Sequence, residues 1–304
     1  MRALVMGATG FVGPYLVEHC SDCGDEVAGL GLDERGFDVT DREAVARAFT
    51  SYRPEVVYHL AAMSHVGDSW ADTTACFRVN IEGTAHVLDA ARSAGTRRVL
   101  VVGSSEEYGR VLDGTPLDED APLRPVTPYG VSKVAASYLA LQAHLAHGLD
   151  TIRVRAFSHT GAGQSARFVV PALADRVARA EIAGGDAVRV GAIDPVRDVS
   201  DVRDVVRAYR LLMTRGEPGE VYNVCRGRGV AIGDIARRLV ARATRTLRLE
   251  VDPELVRPVE VPCLIGSPAK LQRATGWEPR FALDETLDAV LADARARVRT
   301  EHHP

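Results

Sequence analysis

The sequence predicts an α/β fold: a doubly wound parallel sheet followed by a smaller C-terminal α/β domain. Three observations predict it. Short β-branched and apolar runs alternate with helical patterns through the first half, the rhythm of βαβ units. A glycine-rich turn, Gly7-Ala8-Thr9-Gly10-Phe11-Val12-Gly13, follows the first such run and opens the first helical pattern. After about residue 157 the alternation loosens, as expected of a second, discontinuous unit.

Taken in order, Arg2–Met6 is too short and too uniformly apolar for a helix and reads as a buried strand. Residues 11–23 form a helix stopped by Gly24, and Glu26–Leu30 is the second strand. Residues 41–52 are helical, with Thr40 or Asp41 as cap, and 55–59 is strand three. Residues 71–94 read as one long helix ended by Gly95, and 97–102 as strand four. A second long helix covers 129–147, ended by Gly148, and 150–155 is strand five. Beyond it come a helix at 171–183, a strand at Ala187–Val190, a helix at Val202–Arg215 and a buried strand at 220–224. Helices at 232–243, 268–275 and 283–299 complete the pattern. The expected division is a domain of residues 1–157, with return segments around 193–225, and a discontinuous domain of 158–192 and 226–304.

Composition narrows the function classes. The 304 residues carry 37 basic and 41 acidic side chains, a net charge of −4, with 46% hydrophobic and 26% charged residues, which argues against a disordered chain. No apolar run approaches the ~18 residues of a membrane span. The opening MRALVMG reads as a strand and not as a signal peptide. Apart from Lys133 and Lys270, all basic residues are arginine, scattered among carboxylates without a basic block, so no nucleic-acid surface is expected. Five cysteines, an odd number, point to reduced thiols and a cytoplasmic protein. Cys20 and Cys23 form a CxxC but lack two further ligands, so no metal site is expected.

The glycine turn is a GxxGxxG in strand–turn–helix context. Glycine lets backbone approach a pyrophosphate, and the helix N-terminus stabilises its charge, so Gly7, Thr9, Gly10, Phe11, Val12 and Gly13 are expected to bind a dinucleotide in a Rossmann-type domain. The second strand should end in an acid for the ribose 2′-hydroxyl, but Gly31 stands there. Removing that carboxylate removes repulsion against a 2′-phosphate, which favours NADPH over NADH while permitting both. Asp38 and Val39 could hold the adenine edge, or Asp38 could simply belong to a helix-capping loop. Leu60, Ala61 and Ala62 close strand three with small residues against which a dinucleotide can lie.

Tyr129 and Lys133 are four apart on a helix and share a face. An ammonium beside a phenol favours phenolate, which is expected to lower the tyrosine pKa toward a working acid–base range. Strand four ends in Ser104-Ser105-Glu106, at the carboxyl edge where such sheets place chemistry. A hydroxyl there could bind a carbonyl beside Tyr129, or merely cap the loop.

GATGFVG, HLAA, Asn80 in NIEGT, SSEEYG and TPYGVSK together resemble the extended short-chain dehydrogenase/reductases acting on nucleotide sugars. GSSEEYG, RPVTPYGVSK, GAGQS, VRDVSDVRDVV, VYNVC and RPVEVPCLIGS resemble most the GDP-4-keto-6-deoxy-D-mannose reductases, which form GDP-D-rhamnose. The resemblance implies that Tyr129 protonates a sugar C4 oxygen, Lys133 holds the nicotinamide ribose, Ser104 orients the carbonyl, and Asn80 supports the helix. It implies cofactor contact at His159. It also implies a nucleotide-sugar site drawing on Ser104, Ser105, Glu106, Ser158, Val190, Arg197, Arg257 and Glu260, the arginines neutralising the pyrophosphate. Ser158 and Val199 depart from an asparagine and an aromatic usual in the family. Glu106 occupies the position of the base in 4,6-dehydratases, whereas Ser105 stands where their acid is often Asp. A 4,6-dehydratase or 4-epimerase, and a dTDP sugar, remain the alternatives. A non-enzymatic NADPH sensor would have no need of Tyr129. Family members pair their two long helices into a four-helix bundle, which implies a homodimer.

Overall fold

The computed structural model describes residues 1–32, 36–111, 114–255 and 261–302. The elements in chain order are β1 (Arg2–Met6), α1 (Val12–Asp22), β2 (Glu26–Leu30), α2 (Arg42–Tyr52), β3 (Val56–His59), α3 (Val66–Ala71), α4 (Thr73–Phe77) and α5 (Gly83–Ser93). They continue through β4 (Arg98–Val102), α6 (Pro128–His147), β5 (Asp150–Ala156), β6 (His159–Thr160), α7 (Val169–Ala183) and β7 (Ala187–Val190). The remainder is β8 (Val196–Asp198), β9 (Ser200–Asp201), α8 (Val202–Arg215), β10 (Val221–Val224), β11 (Gly229–Ala231), α9 (Ile232–Val240), β12 (Arg248–Val251), β13 (Cys263–Leu264), α10 (Ala269–Thr275) and α11 (Leu283–His302).

The main sheet is parallel throughout, in the order β2-β1-β3-β4-β5-β10. Its inner strands β1, β3 and β4 are almost wholly buried, which is why they read as short apolar runs. Alternate residues serve opposite cores. Ala3 and Val5 pack with Leu16, Tyr209 and Trp277, whereas Leu4 and Met6 pack with Phe49, Val87 and Ala140. A second core joins α7, α9 and α11 to β7 through residues such as Leu173, Val188, Ile235 and Leu291. Register brings the strand ends level: Met6 pairs with His59, His59 with Val101, and Val102 with Val154. Residues following β1, β3 and β4 therefore meet at one edge, where the strand order reverses direction between β1 and β3. Of the segment 193–225, α8 packs on this sheet and β10 joins it, whereas β8 pairs with β11 and β13.

The region read as one helix at 71–94 is broken. Asp72 leaves helical geometry (φ −142°) and caps a new helix, its carboxylate accepting from Ala75 N–H at 2.8 Å. A π-helical turn then occupies Arg78–Glu82 before α5. That extra residue in the turn faces Asn80 inward, and such insertions often serve sites. Strand β7 lies where the sequence placed it, whereas its partner β12 and the short strands β6, β8, β9, β11 and β13 escaped the sequence reading because segments so short carry little periodicity of their own. Among the described residues, no helix is long and apolar enough to cross a membrane.

Candidate active site

A cleft of about 850 Å³ runs along the sheet's carboxyl edge, at the upper end of the small-molecule range. One end is built by the glycine turn. Gly7 and Ala8 both donate their N–H to the Leu30 carbonyl, at 2.7 and 2.9 Å, tying the turn to the end of β2. Gly7 has φ +90°, and a Cβ there would lie 2.7 Å from the Ala61 nitrogen. Only glycine lets the loop after β1 meet the loop after β3. The helix behind the turn has no side-chain cap and no acid in its first turn, so no side chain competes with an anion at its start. Gly31 lies against Thr9, whose Oγ1 would sit 2.2 Å from a Cβ at that position. Thr9 thus takes the space of the missing acid.

Asn80 anchors the opposite wall. Its side chain accepts from Met63 N–H (2.8 Å) and donates to the Met63 carbonyl (3.1 Å) and to Ser132 Oγ (2.9 Å). One buried amide fixes both the loop after β3 and the helix carrying Tyr129. Asp38 accepts from Thr40 N–H at 2.8 Å, while Asp41 caps α2, so the capping role belongs to Asp41. Val39 is buried, its carbonyl accepting from His86. His159 donates Nδ1–H to the Phe157 carbonyl and stacks on Phe11, the rings 6.2 Å apart and 11° from parallel. Burial lowers its pKa, leaving a neutral ring that bridges the glycine turn and the second half of the chain.

At the centre, Ser104 caps a short 3₁₀ turn over Ser105–Glu107, its hydroxyl accepting from Glu106 N–H at 3.2 Å and lying near enough to the Tyr129 phenol to favour its ionised form. Tyr129 sits in the first turn of α6, which Thr127 caps by accepting from Gly130 N–H at 2.9 Å. Lys133, one turn on, donates to the Val102 carbonyl at 2.8 Å and lies 5.8 Å from the centre of the Tyr129 ring. Electrostatics here depart from expectation. Burial raises the Tyr129 pKa far above its ordinary value, opposed by the neighbouring Ser104 hydroxyl and reinforced by Glu106 and Glu107. Burial also lowers Lys133 to about 8, with Glu107 acting in the other direction. Burial of the phenol therefore outweighs any pull of the lysine toward phenolate. A phenol protonated at neutral pH, paired with a second hydroxyl, is an arrangement for donating to a carbonyl oxygen.

Every site residue named from sequence that falls among the described residues lines this cleft: the glycine turn, Asp38, Val39, Leu60 to Ala62, Ser104 to Glu106, Tyr129, Lys133, Ser158, His159, Val190 and Arg197. Arg257 and Glu260 lie outside the described residues. Sequence reasoning missed Gln164, Arg167, Phe168 and Arg176, which line the other end. Arg167 contacts His65 at 3.1 Å and pairs with Asp68, joining the segment before α7 to the start of α3. Among 35 arginines nothing in the sequence singled it out. Cys20 is buried, its thiol pushed up to about 11 by desolvation, so the CxxC pairs one shielded thiol with one exposed. The cradle at Gly7, the open helix terminus and the small residues Ala61 and Ala62 together fit a dinucleotide. Gly7, Thr9, Gly10 and Phe11 would hold its phosphates, and Lys133 its nicotinamide ribose.

A family model described as GDP-mannose 4,6 dehydratase matches residues 32–290. The chain belongs to the GDP-mannose 4,6-dehydratase family. It is similar to GDP-6-deoxy-D-mannose reductase of Pseudomonas aeruginosa, 33% identical over 303 residues and spanning 99% of each chain. Similar solved structures include RMD from Pseudomonas aeruginosa complexed with NADPH, with TM-score 0.89, 32% identity and coverage of 98% of this chain and 100% of that one. Another is UDP-glucose 4-epimerase of Thermus thermophilus in complex with NAD, with TM-score 0.87, 30% identity and coverage of 97% and 99%. The fold is the Rossmann-type α/β fold of these relatives.

Gly7→Ala forces a Cβ into the Ala61 backbone at an unfavourable φ. It should destabilise the fold by about 1–3 kcal/mol. It should also weaken dinucleotide binding at least ~10-fold, equivalent to ~1.4 kcal/mol. Denaturant unfolding and fluorescence titration of the reduced nicotinamide measure the two effects.

Proposed function

We propose that the chain is an NAD(P)H-dependent 4-ketoreductase that converts GDP-4-keto-6-deoxy-D-mannose to GDP-D-rhamnose. The observation that carries this reading is the buried Ser104–Tyr129 hydroxyl pair beside a dinucleotide cradle. The full-length similarity to a GDP-6-deoxy-D-mannose reductase supports the substrate. In this reading residues 1–157, with the return segments around 193–225, hold the cofactor, and 158–192 with 226–304 hold the sugar nucleotide.

When bound, reduced nicotinamide supplies a hydride for the carbonyl carbon. The protein supplies everything else. Ser104 donates a hydrogen bond to the C4 oxygen and fixes the carbonyl plane. Tyr129 passes its proton to the oxygen as negative charge develops there. Lys133, charged below about pH 8, holds the nicotinamide ribose and stabilises the phenolate left on Tyr129. Arg197 offers a guanidinium to the diphosphate, as would Arg257, while Ser105, Glu106, Ser158 and Val190 face the sugar. NADPH is the preferred cofactor. Gly31 and Thr9 present no carboxylate to a 2′-phosphate, and the Pseudomonas aeruginosa relative was solved with NADPH. A second reading, a 4,6-dehydratase, is favoured by Glu106 on the cleft wall, where that chemistry needs a base. The five cysteines are free, which supports a reducing, cytoplasmic setting.

The chain is proposed to act as a homodimer through a four-helix bundle. Val131, Tyr138 and Leu145 stand seven residues apart on α6 and are 42, 55 and 75% exposed, with Trp70 on α3 at 56%. An apolar stripe at that spacing is a helix-pairing seam. Sedimentation at micromolar concentration should give a dimer, and Tyr138→Glu should shift it toward monomer; a monomeric wild-type chain contradicts the seam.

The functional test supplies the preformed 4-keto-6-deoxy sugar nucleotide. One NADPH should be consumed per sugar reduced, with the GDP sugar turned over faster than its dTDP or UDP counterpart. Tyr129→Phe should keep NADPH affinity while losing at least ~100-fold in kcat, the lower range for a lost proton donor. Production of a keto-sugar from GDP-mannose with NADP⁺, without net cofactor consumption, would favour the dehydratase.

A further inference from the structure

Behind Ser104 lies a carboxylate outside the residues that line the cleft. Glu107 is completely buried. One oxygen, Oε1, accepts from the Ser104 backbone N–H at 2.8 Å, and Oε2 accepts from Arg155 Nε at 3.2 Å. Arg155 is buried too, and its Nη1 donates to Tyr108 Oη (2.9 Å) and to the Glu119 carbonyl (2.8 Å). Tyr108 in turn donates to Asn223 Oδ1 at 2.7 Å, and the Glu119 carboxylate accepts from Asn223 N–H at 2.7 Å. The backbone has been cleared for this carboxylate. A Cβ on Gly103 would lie 2.1 Å from Glu107 Oε1.

An ion pair in such a place does little for stability. Desolvating two charges offsets most of their attraction, and an apolar pair of similar volume is often as stable or more so. Its position says what it does instead. The strand end that Glu107 grips through Ser104 N–H also presents the Val102 carbonyl on which Lys133 is hung. Its charge acts on both members of the YxxxK pair.

We propose that Glu107, locked by Arg155, is a positioning residue that sets both the place of Ser104 and the charge felt by Tyr129 and Lys133. The inference rests on Tyr129 being the proton donor of the reductase reading. The groups facing the carboxylate are Arg155 and Arg153 from β5 and Lys133 and Tyr129 from α6, with Glu106 beside it on its own turn. Desolvation pushes Glu107 up to about 7, against the pull of Arg155, so the carboxylate is ionised across the alkaline range in which the reductase should lose activity. A negative charge there makes Tyr129 harder to ionise and Lys133 easier to keep protonated. Removing it moves both groups the same way, toward earlier deprotonation as pH rises.

Two variants test this. Glu107→Gln keeps an acceptor for Ser104 N–H and deletes the charge. It should remain folded and bind NADPH within twofold of wild type, with kcat about tenfold lower and KM nearly unchanged. The alkaline limb of its kcat profile should fall about one pH unit earlier, the lower range for a charge at this distance. The double variant Glu107→Leu/Arg155→Met replaces the pair with apolar side chains, so it should stay folded while keeping the low kcat and the shifted limb. A wild-type limb in Glu107→Gln, or wild-type kcat and limb in the folded double variant, would overturn the proposal. Undiminished turnover in Tyr129→Phe would instead remove the reductase mechanism itself, so the two failures are distinguishable.

Discussion

The Tyr129 phenol is held almost out of water at the carboxyl edge of the sheet, and the chemistry of the cleft follows from that burial. Desolvation penalises the phenolate more than its neighbours stabilise it, so the group stays a proton donor through neutral pH. The same desolvation lowers Lys133, bringing an ammonium within a unit or two of neutrality, where its charge responds to small changes in the surroundings. Sheet register makes this possible. Because β1, β3 and β4 end level, the glycine turn, the Ala61–Ala62 loop and Ser104 converge without long loops. The first turn of α6 then lies over the end of β4.

Rigid contacts hold the convergence in place. Gly7 meets Ala61 backbone to backbone, and Asn80 pins Met63 from both sides while holding Ser132. Phe11 stacks on His159, so the cofactor turn touches the segment leading into the second core. At the far end the contacts change character. Arg167, Asp68 and His65 are surface groups, and their pairing joins the two lips of the cleft through long side chains in water. Such exposed pairs are weak. The glycine-turn end is therefore built as a fixed frame, whereas the far end is held by weaker, partly exposed contacts.

Legibility in the sequence follows the range of the interactions. The glycine turn, Tyr129 with Lys133, and the βαβ rhythm are local patterns whose physics acts within a few residues, and each could be read from the chain alone. The break at Asp72 and the π turn at Asn80 could not, because Asn80 faces inward to reach Met63 and Ser132, partners distant in sequence. Glu107 reads as one more acid beside Glu106 until Arg155, 48 residues away, is seen against it. The net shift of Tyr129 was not legible, since charge proximity is visible in YxxxK but the burial that outweighs it is not. Arg167 and Arg176 were lost among other arginines because a place on the cleft wall leaves no periodic trace in the sequence. The nucleotide came from resemblance, as no local pattern in the chain encodes guanine.

If Tyr129 and Ser104 serve hydride addition to C4 of a keto-sugar, with the hydride taken from an exchangeable cofactor, the fate of that hydride shows it most directly. Turnover of the 4-keto-6-deoxy sugar with NADPH deuterated at the transferable C4 position should give a product with one deuterium, located at sugar C4 by NMR. Product without deuterium at C4, or label found at C6, would contradict the claim.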